Sequence, residues 1–358
     1  MACNLRPIRF QTCRETLLKT NLKVLSQSLG LSQTTVSRAL AGYSDVSPVT
    51  RQRVLEAARA SGYEPDTTAR RLATGRSEAI GIIYPFGDSG LGDPRFVEVV
   101  GGLSDGLAEA RMELMVVAAR PQTELDGYRR LTSSRAVDAL IVANTRLEDA
   151  RIQFLQERKF PFVAYGRTNS AAPYAWFDFD NEAGGRLATE RLLGLGHRRI
   201  ALIHAPVSMT FAAQRHAGYV QALRAAGIEP DPALVLEVAL DRQGAYEATR
   251  RLLALAEPPT ALLVDNNLSG VGALRALMES GWQPGRGLSL IVYDGVPADL
   301  PLPYGVTAVE QPTGVESGRA LARLVLDLLA GQPVQTLHQL AQPVIAPGDT
   351  DRPADQSN

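Results

Sequence analysis

From Ala79 onward the chain alternates short apolar runs with longer amphipathic ones, and that alternation limits the folds open to it. Ile80–Tyr84, Leu114–Val117, Ala139–Val142, Phe162–Ala164, Ile200–Ile203, Ala261–Val264 and Leu290–Tyr293 read as strands. Segments such as Asn181–Leu195, Phe211–Ala226 and Leu268–Glu279 read as helices between them. The strand runs are apolar throughout, so both faces of each are expected to be buried. Joined by helices, such strands form parallel sheets covered on both sides. Residues 79–358 are too many for one such core. Two doubly wound α/β lobes fit better. Ligands of these folds bind beyond the carboxyl ends of the strands, so two facing lobes enclose a cleft.

Ahead of this core, Asn21–Tyr63 is punctuated as three short helices. Asn21 is an N-cap before Leu22, Leu25 and Leu29, which share a face, and Gly30 ends the helix. Ser32 caps a second helix with Val36, Ala39 and Leu40 inward, and Gly42 ends it. Ser47 caps a third, with Pro48 in the first turn and Gly62 after its end. Two helices joined by a tight Gly-containing turn form a helix-turn-helix, whose second helix enters the major groove of DNA. Here that helix offers Gln33, Thr34, Thr35, Ser37 and Arg38 to base edges and phosphates. The charge agrees. Residues 1–77 hold 12 Lys and Arg against 5 Asp and Glu, whereas the remainder holds 25 against 33. A basic head on an acidic body suits a polyanionic partner for the head alone.

Other classes find little support. The sequence has no phosphate-binding Gly-Lys-Ser/Thr loop and no G-x-G-x-x-G after the first strand. Asp178 and Asp180 alternate in FDFD ahead of a helix, which fits a lobe crossing and a helix N-terminal charge better than a glycosidase pair. His197 reads as structural. Cys3 and Cys13 have no zinc-ligand spacing, so neither metal nor cofactor is expected. No apolar run reaches membrane-span length and residues 1–20 lack an apolar leader core, so the expected compartment is the cytoplasm.

The segment SQTTVSRAL from Ser32, then VSPVTRQRVLEAARASGY and the ARRLATG tail from Ala69, closely resembles the start of lactose-repressor-like (LacI/GalR family) regulators. The resemblance implies a small all-α helix-turn-helix domain, a hinge helix and a two-lobe α/β core like the periplasmic binding proteins. It sets out an extension at 1–20, the DNA-binding domain at 21–64, a hinge at 65–78, the core at 79–350 and a tail at 351–358. Within the core, lobe 1 takes 79–179 and 307–338, and lobe 2 takes 180–306 and 339–350. The chain crosses near Phe179 and Thr307, and helix Gly314–Leu329 packs on lobe 1. In the hinge, Leu72 matches the leucine that wedges open a minor-groove step, with Ala69 its small neighbour. Asp66 replaces the asparagine common there.

For the cleft, the resemblance implies that Asp294 (LIVYD) and Arg215 (FAAQRHAGY) contact an effector, the carboxylate accepting from paired hydroxyls and the guanidinium fork facing paired oxygens. Phe96 (DPRF) offers a stacking face. Asn144 and Arg167 follow first-lobe strands, Asn266 opens VDNN, and Gln311 (EQP) lies at a crossing. Asn267 departs from the aspartate usual after that asparagine, and Leu240 falls where relatives carry an aromatic. The implied protein is a homodimeric repressor of a pseudo-palindromic operator, governed by a small sugar. The head looks most like those of α-glucoside-utilisation repressors. The rival reading is a solute-binding protein without a DNA role; effectors of the nucleobase or partner-protein kind are the other family options.

Overall fold

A computed structural model describes residues 21–40, 43–63, 75–85 and 93–354. The chain divides into two compact units, Met1–Gly75 and Arg76–Asn358. The hinge residues Asp66, Ala69 and Leu72, and Gly42, lie outside the described residues.

The first unit is a three-helix bundle of α1 (Leu22–Leu29), α2 (Gln33–Leu40) and α3 (Pro48–Ala60). Its caps follow the sequence. Asn21 accepts from Val24 N at 3.0 Å, Ser32 from Thr35 N at 3.0 Å, and Ser47 from Thr50 N at 3.2 Å. Each such cap satisfies an orphan helix donor and contributes about 1 kcal/mol. Gly30, at φ 64°, turns the chain from α1 toward α2. Leu25, Leu29, Val36, Ala39, Val46, Val54 and Ala58 form the core. Leu40, expected inside, is only half-buried, because it lies at the helix end where the bundle opens.

The second unit holds two sheets. In the first lobe, β1 (Ala79–Pro85), β2 (Glu113–Ala119), β3 (Ala139–Val142), β4 (Phe162–Tyr165), β5 (Ala175–Phe179) and β12 (His338–Ala341) are ordered β12-β5-β4-β3-β1-β2, all parallel. Helices α4 (Pro94–Glu109) and α11 (Gly314–Leu329) cover one face; α5 (Glu124–Ser134) and α6 (Ala150–Glu157) cover the other. In the second lobe, β6 (Ile200–His204), β7 (Val235–Glu237), β8 (Ala261–Val264), β10 (Gly287–Tyr293), β11 (Ala308–Glu310) and β13 (Val344–Ala346) are ordered β13-β11-β10-β8-β6-β7, with the short β9 (Gln283–Pro284) beside β10. All are parallel except β13, which returns antiparallel to β11. Helices α7 (Asn181–Gly194) and α8 (Thr210–Ala225) cover one face, α9 (Arg242–Leu253) and α10 (Asn267–Glu279) the other.

Three crossings join the lobes. The first lies between β5 and α7. The second falls between Glu310 and Gly314 instead of near Thr307, because Ala308 and Val309 pair with β10 before the chain leaves lobe 2. The third falls after Ala341, not at 338–339, because His338–Ala341 completes the first sheet beside β5. The lobe 2 fold also runs on past 350. Asp351 is buried, accepting from Thr307 Oγ1 at 2.6 Å and Arg191 Nε at 2.7 Å, and Ala354 N donates to Leu195 O. His197 anchors this return through Thr260, Ser289 and the Arg352 carbonyl, the structural role expected of it.

Candidate functional site

On the first unit, α2 turns Gln33, Thr34, Ser37 and Arg38 outward, leaving Val36 and Ala39 in the core. Thr35 is half-buried, its hydroxyl 2.8 Å from that of Ser32 at the start of the helix. Arg38 is engaged within the head. Its Nη2 lies 2.5 Å from Asp45 Oδ2 and its Nε donates to Oδ1 at 3.3 Å, while its guanidinium sits 4.7 Å from the Tyr43 ring. Asp45, seven residues downstream in the loop before α3, gave no sequence signal.

On the second unit, the carboxyl ends of both sheets enclose a cavity of about 140 Å³ between the lobes. The lobes are bridged on two sides of it. On one, backbone joins backbone: Leu147 N donates to Ser208 O at 3.1 Å and Thr210 N to Thr145 O at 3.0 Å. On the other, side chains reach across. Asn267 Nδ2 donates to Asp93 Oδ1 at 3.2 Å, and Arg95 Nη1 stands 3.3 Å from Asp294 Oδ1.

Asp294 directly follows β10 with φ 63°, a left-handed conformation costing an L-residue roughly 1–2 kcal/mol. Such strain persists where a site requires it. The bend, held by Asp294 N donating to Val309 O, points the carboxylate at the cavity. Its Oδ1 is buried and makes no hydrogen bond among the described residues. Arg95 meets it as an ion pair lacking hydrogen-bond geometry, and Arg215 Nη2 lies 3.9 Å from Oδ2. Burial opposes the charge on Arg95, but Asp294 and its other anionic neighbours outweigh this and keep its pKa above the ordinary value.

Arg215 is fixed from several sides. Its Nε donates to Asn181 Oδ1 at 2.9 Å and its Nη1 to the Asp265 carbonyl; the Tyr293 ring lies 3.4 Å from the guanidinium carbon and the Phe211 ring 4.8 Å. Close approach of α7 and α8 puts it there. A Cβ on Gly218 would stand 2.0 Å from Glu182 O, and one on Gly185 2.2 Å from Arg215 O. Behind it, burial raises the Asp265 pKa.

Four further residues named from sequence line the same cavity. Phe96 stacks on Tyr84, centroids 3.7 Å apart. Asn144, at φ 51°, lies on the wall and its carbonyl accepts from Arg151 Nη2. Gln311 donates to Tyr293 Oη at 3.0 Å. Asn266 also lines it, but its side chain caps α10 through Ser269 N and donates to Asp265, so it is structurally engaged. Asp294 and Arg215 complete the set. Arg167 is the exception. It is absent from the lining because Asp178 takes its Nε at 2.7 Å and Trp176 stacks beneath it. Leu240 does line the cavity, and Phe211 supplies an aromatic wall nearby.

Asp93, Arg95, Tyr165, Asn181, Thr210 and Asn267 line the cavity without having been picked as contacts. Arg95 and Asp93 sit in the DPRF turn that gave Phe96, so the signal was present. The Thr210 hydroxyl is buried without a hydrogen-bond partner among the described residues. Burial, then Asp93, pushes the Tyr84 hydroxyl up to about 12, and burial pushes Tyr165 up to about 12, so both stay neutral. Among the described residues, no cluster of three or more His, Cys, Asp or Glu side chains could hold a metal, and no helix is long and apolar enough to cross a membrane.

Comparison with known proteins bears on both units. Residues 27–66 match the model of bacterial regulatory proteins of the lacI family, and residues 77–343 match that of periplasmic binding proteins and the sugar binding domain of the LacI family. The chain belongs to the LacI family. The Escherichia coli transcriptional regulator RafR is 41% identical over 331 residues, 92% of this chain and 98% of RafR. The structure of a CelR–cellobiose complex is 28% identical with a TM-score of 0.71, covering 93% of this chain and 100% of that one. That of the lac repressor dimer bound to operator and an anti-inducer is 25% identical with a TM-score of 0.79, covering 93% and 99%. This LacI-family chain is therefore a DNA-binding transcriptional regulator with a helix-turn-helix head and a periplasmic-binding-protein-like core.

Proposed function

We propose that this regulator is a homodimeric repressor, working in the cytoplasm, whose hold on a pseudo-palindromic operator is governed by a small neutral sugar in the interlobe cavity. An α-glucoside such as sucrose, maltose or trehalose is the best fit. The observation that carries the sugar reading is the Asp294 carboxylate, which lines a cavity walled by Phe96, Phe211 and Tyr165 and whose buried Oδ1 makes no hydrogen bond among the described residues. A carboxylate that lacks donors calls for hydroxyls, and aromatic faces suit the apolar faces of a pyranose. The CelR relative is known as a cellobiose complex, which is in keeping with this chemistry. The α-glucoside preference rests on the likeness of the head.

Each head reads one half-site. Gln33, Thr34 and Arg38 face base edges, Arg38 taking a guanine through its fork, while Thr35 and Ser37 position on phosphates. Leu72 and Ala69 enter the minor groove from the paired hinges. Effector binding shifts the lobes, unpairs the hinges and lowers operator affinity. The coupling is reciprocal, so operator DNA weakens effector binding by the same factor.

A thermal-shift screen of mono- and disaccharides and nucleobases tests this reading on the full chain, repeated with Asp294→Ala and Arg215→Ala. A sugar should raise the melting temperature, by about 2.7 kcal/mol of stabilisation at a hundredfold excess over Kd, and both changes should abolish the shift. Stabilisation by a nucleobase alone would sink the sugar assignment. Gel shifts on promoter DNA should show steep salt dependence, each phosphate neutralised adding about 0.9 to the log–log slope. Retention insensitive to sequence would favour a solute-binding protein.

A further inference from the structure

We infer that Arg95 is a specificity-determining contact for the effector: with Asp294 it forms a two-lobe grip on adjacent hydroxyls of one sugar ring. This rests on the sugar reading above.

Arg95 occupies the first turn of α4, behind Pro94 and the Asp93 cap, and is largely buried. Its orientation is fixed at the far end. Nη2 donates to the Pro312 carbonyl at 2.7 Å, on the strand that crosses from lobe 2 to lobe 1, and the Phe179 ring lies 5.9 Å from its guanidinium carbon. With one edge of the fork committed, Nη1 is left at the cavity, 3.3 Å from Asp294 Oδ1. The two groups attract as charges without satisfying each other as donor and acceptor, since Oδ1 makes no hydrogen bond among the described residues.

A directed guanidinium donor beside an unsatisfied carboxylate acceptor is a matched pair for a vicinal diol. One hydroxyl donates to Asp294 Oδ1, and its neighbour accepts from Arg95 Nη1. Charge-assisted bonds of this kind are the strong ones, and planar Arg holds the geometry that Lys cannot. Arg215, on the other side of Asp294, is spent on Asn181, Asp265 and the Tyr293 face, which leaves Arg95 the nearer donor to Oδ1. Because Arg95 stands on lobe 1 and Asp294 on lobe 2, a ligand diol set between them ties recognition of one ring edge directly to closure.

Calorimetric titration tests this with the full chain, Arg95→Gln and Arg95→Lys. The probe is whichever of sucrose, maltose, trehalose, glucose and galactose most raises the wild-type melting temperature, together with its monodeoxy analogues. Arg95→Gln should weaken the parent sugar by roughly 10- to 100-fold, the effect of losing a hydrogen bond to a charged group. For one monodeoxy analogue that further loss should vanish, since the hydroxyl it lacks is the one Arg95 contacts. Arg95→Lys, which keeps the charge beside Asp294, should lose the same discrimination, and it carries the test should Arg95→Gln fail to fold. Equal affinity in all three proteins, or a uniform loss on the parent and every analogue, would overturn the inference and leave the sugar reading standing. Failure of every sugar to bind the wild type would overturn both.

Discussion

Asn267 of the second lobe donates to the carboxylate of Asp93 on the first, 3.2 Å away across the mouth of the cavity. The family resemblance implies an aspartate at this place, and the hydrogen bond explains what the amide does here. Burial raises the Asp93 pKa, and a second carboxylate within hydrogen-bonding distance would oppose closure.

Asn267→Asp should therefore open the cleft at neutral pH and restore closure in acid. Two carboxylates about 4 Å apart repel by up to about 4 kcal/mol at an effective dielectric of 20. The pair escapes by sharing a proton. Its carboxyl pKa is raised, so closure is present below that pKa and is lost as pH rises through it. Sugar affinity of the variant should fall at least tenfold at neutral pH and recover on acidification, whereas the wild type should vary far less. The double change Asp93→Asn with Asn267→Asp should bind well at both. A pH series of titrations checks this; a variant as tight as wild type at neutral pH would refute the clasp.

Asp45→Asn should raise operator affinity. In the free head Asp45 holds Arg38, and both side chains are about half exposed, so the pair is worth about 0–1 kcal/mol. Releasing Arg38 and removing an acid from the DNA-facing surface should tighten binding up to roughly fivefold, given that stake. Gel-shift titration at fixed salt reads it. Weaker binding would mean that Asp45 orients Arg38 for the groove.

The parts of the fold visible in the sequence were those with a strong local signal. Ala139–Val142 and Ala261–Val264 are apolar throughout and stand as strands with those bounds. Gly314–Leu329 is a helix with the bounds expected, opened by a reciprocal Thr313–Glu316 capping box. Ala175–Phe179 carries no strand signal of that kind because Asp178 interrupts its apolar pattern; the Arg167 side chain and the Phe179 and Asn181 groups satisfy that carboxylate inside the fold. His338–Ala341 carries none either, because a mostly exposed edge strand lacks an apolar pattern. In the cavity, strand-end residues such as Asp294 were legible by position. The pairings of Arg95 with Asp294 and of Asn267 with Asp93 are not legible that way, since the partners lie on opposite lobes, 199 and 174 residues apart in sequence.

Leu72→Ala should weaken operator binding while leaving sugar affinity in the absence of DNA unchanged. An apolar wedge repays the cost of unstacking a base step with a bent, more extensively contacted duplex, and a methyl group cannot fill the opened step. A loss of about tenfold or more is expected if the wedge offsets a few kcal/mol of unstacking. Fluorescence anisotropy on operator DNA measures the first quantity and calorimetry the second. Unaltered operator affinity would remove the hinge from the mechanism.

Arg151→Ala should destabilise the core and loosen the cavity wall together. Arg151 is buried between two carboxylates, donating from Nε and Nη2 to Asp149 at 2.8 and 2.6 Å and from Nη1 to Glu124. Removing the cation leaves buried Asp149 without its charge partner and Glu124 with Arg146 alone, a change that costs about 3–5 kcal/mol. Burial pushes Asp149 up, but the hydrogen bonds and charge of Arg151 outweigh it and hold its pKa below the ordinary value. A lowered carboxyl pKa contributes stability above the unfolded value and loses it as pH falls through the folded one. Wild type should thus lose stability on acidification, while the variant, in which Arg151 no longer holds the Asp149 pKa down, should lose less, so the gap between them narrows. The same guanidinium donates to the Asn144 carbonyl at 3.0 Å and so supports the strained turn at the cavity wall. Sugar affinity should fall with stability even where the variant is fully folded. Urea unfolding at neutral and acid pH, with sugar titrations well below the unfolding transition, measures both; a gap that widens in acid would show that the triad is not what holds this corner.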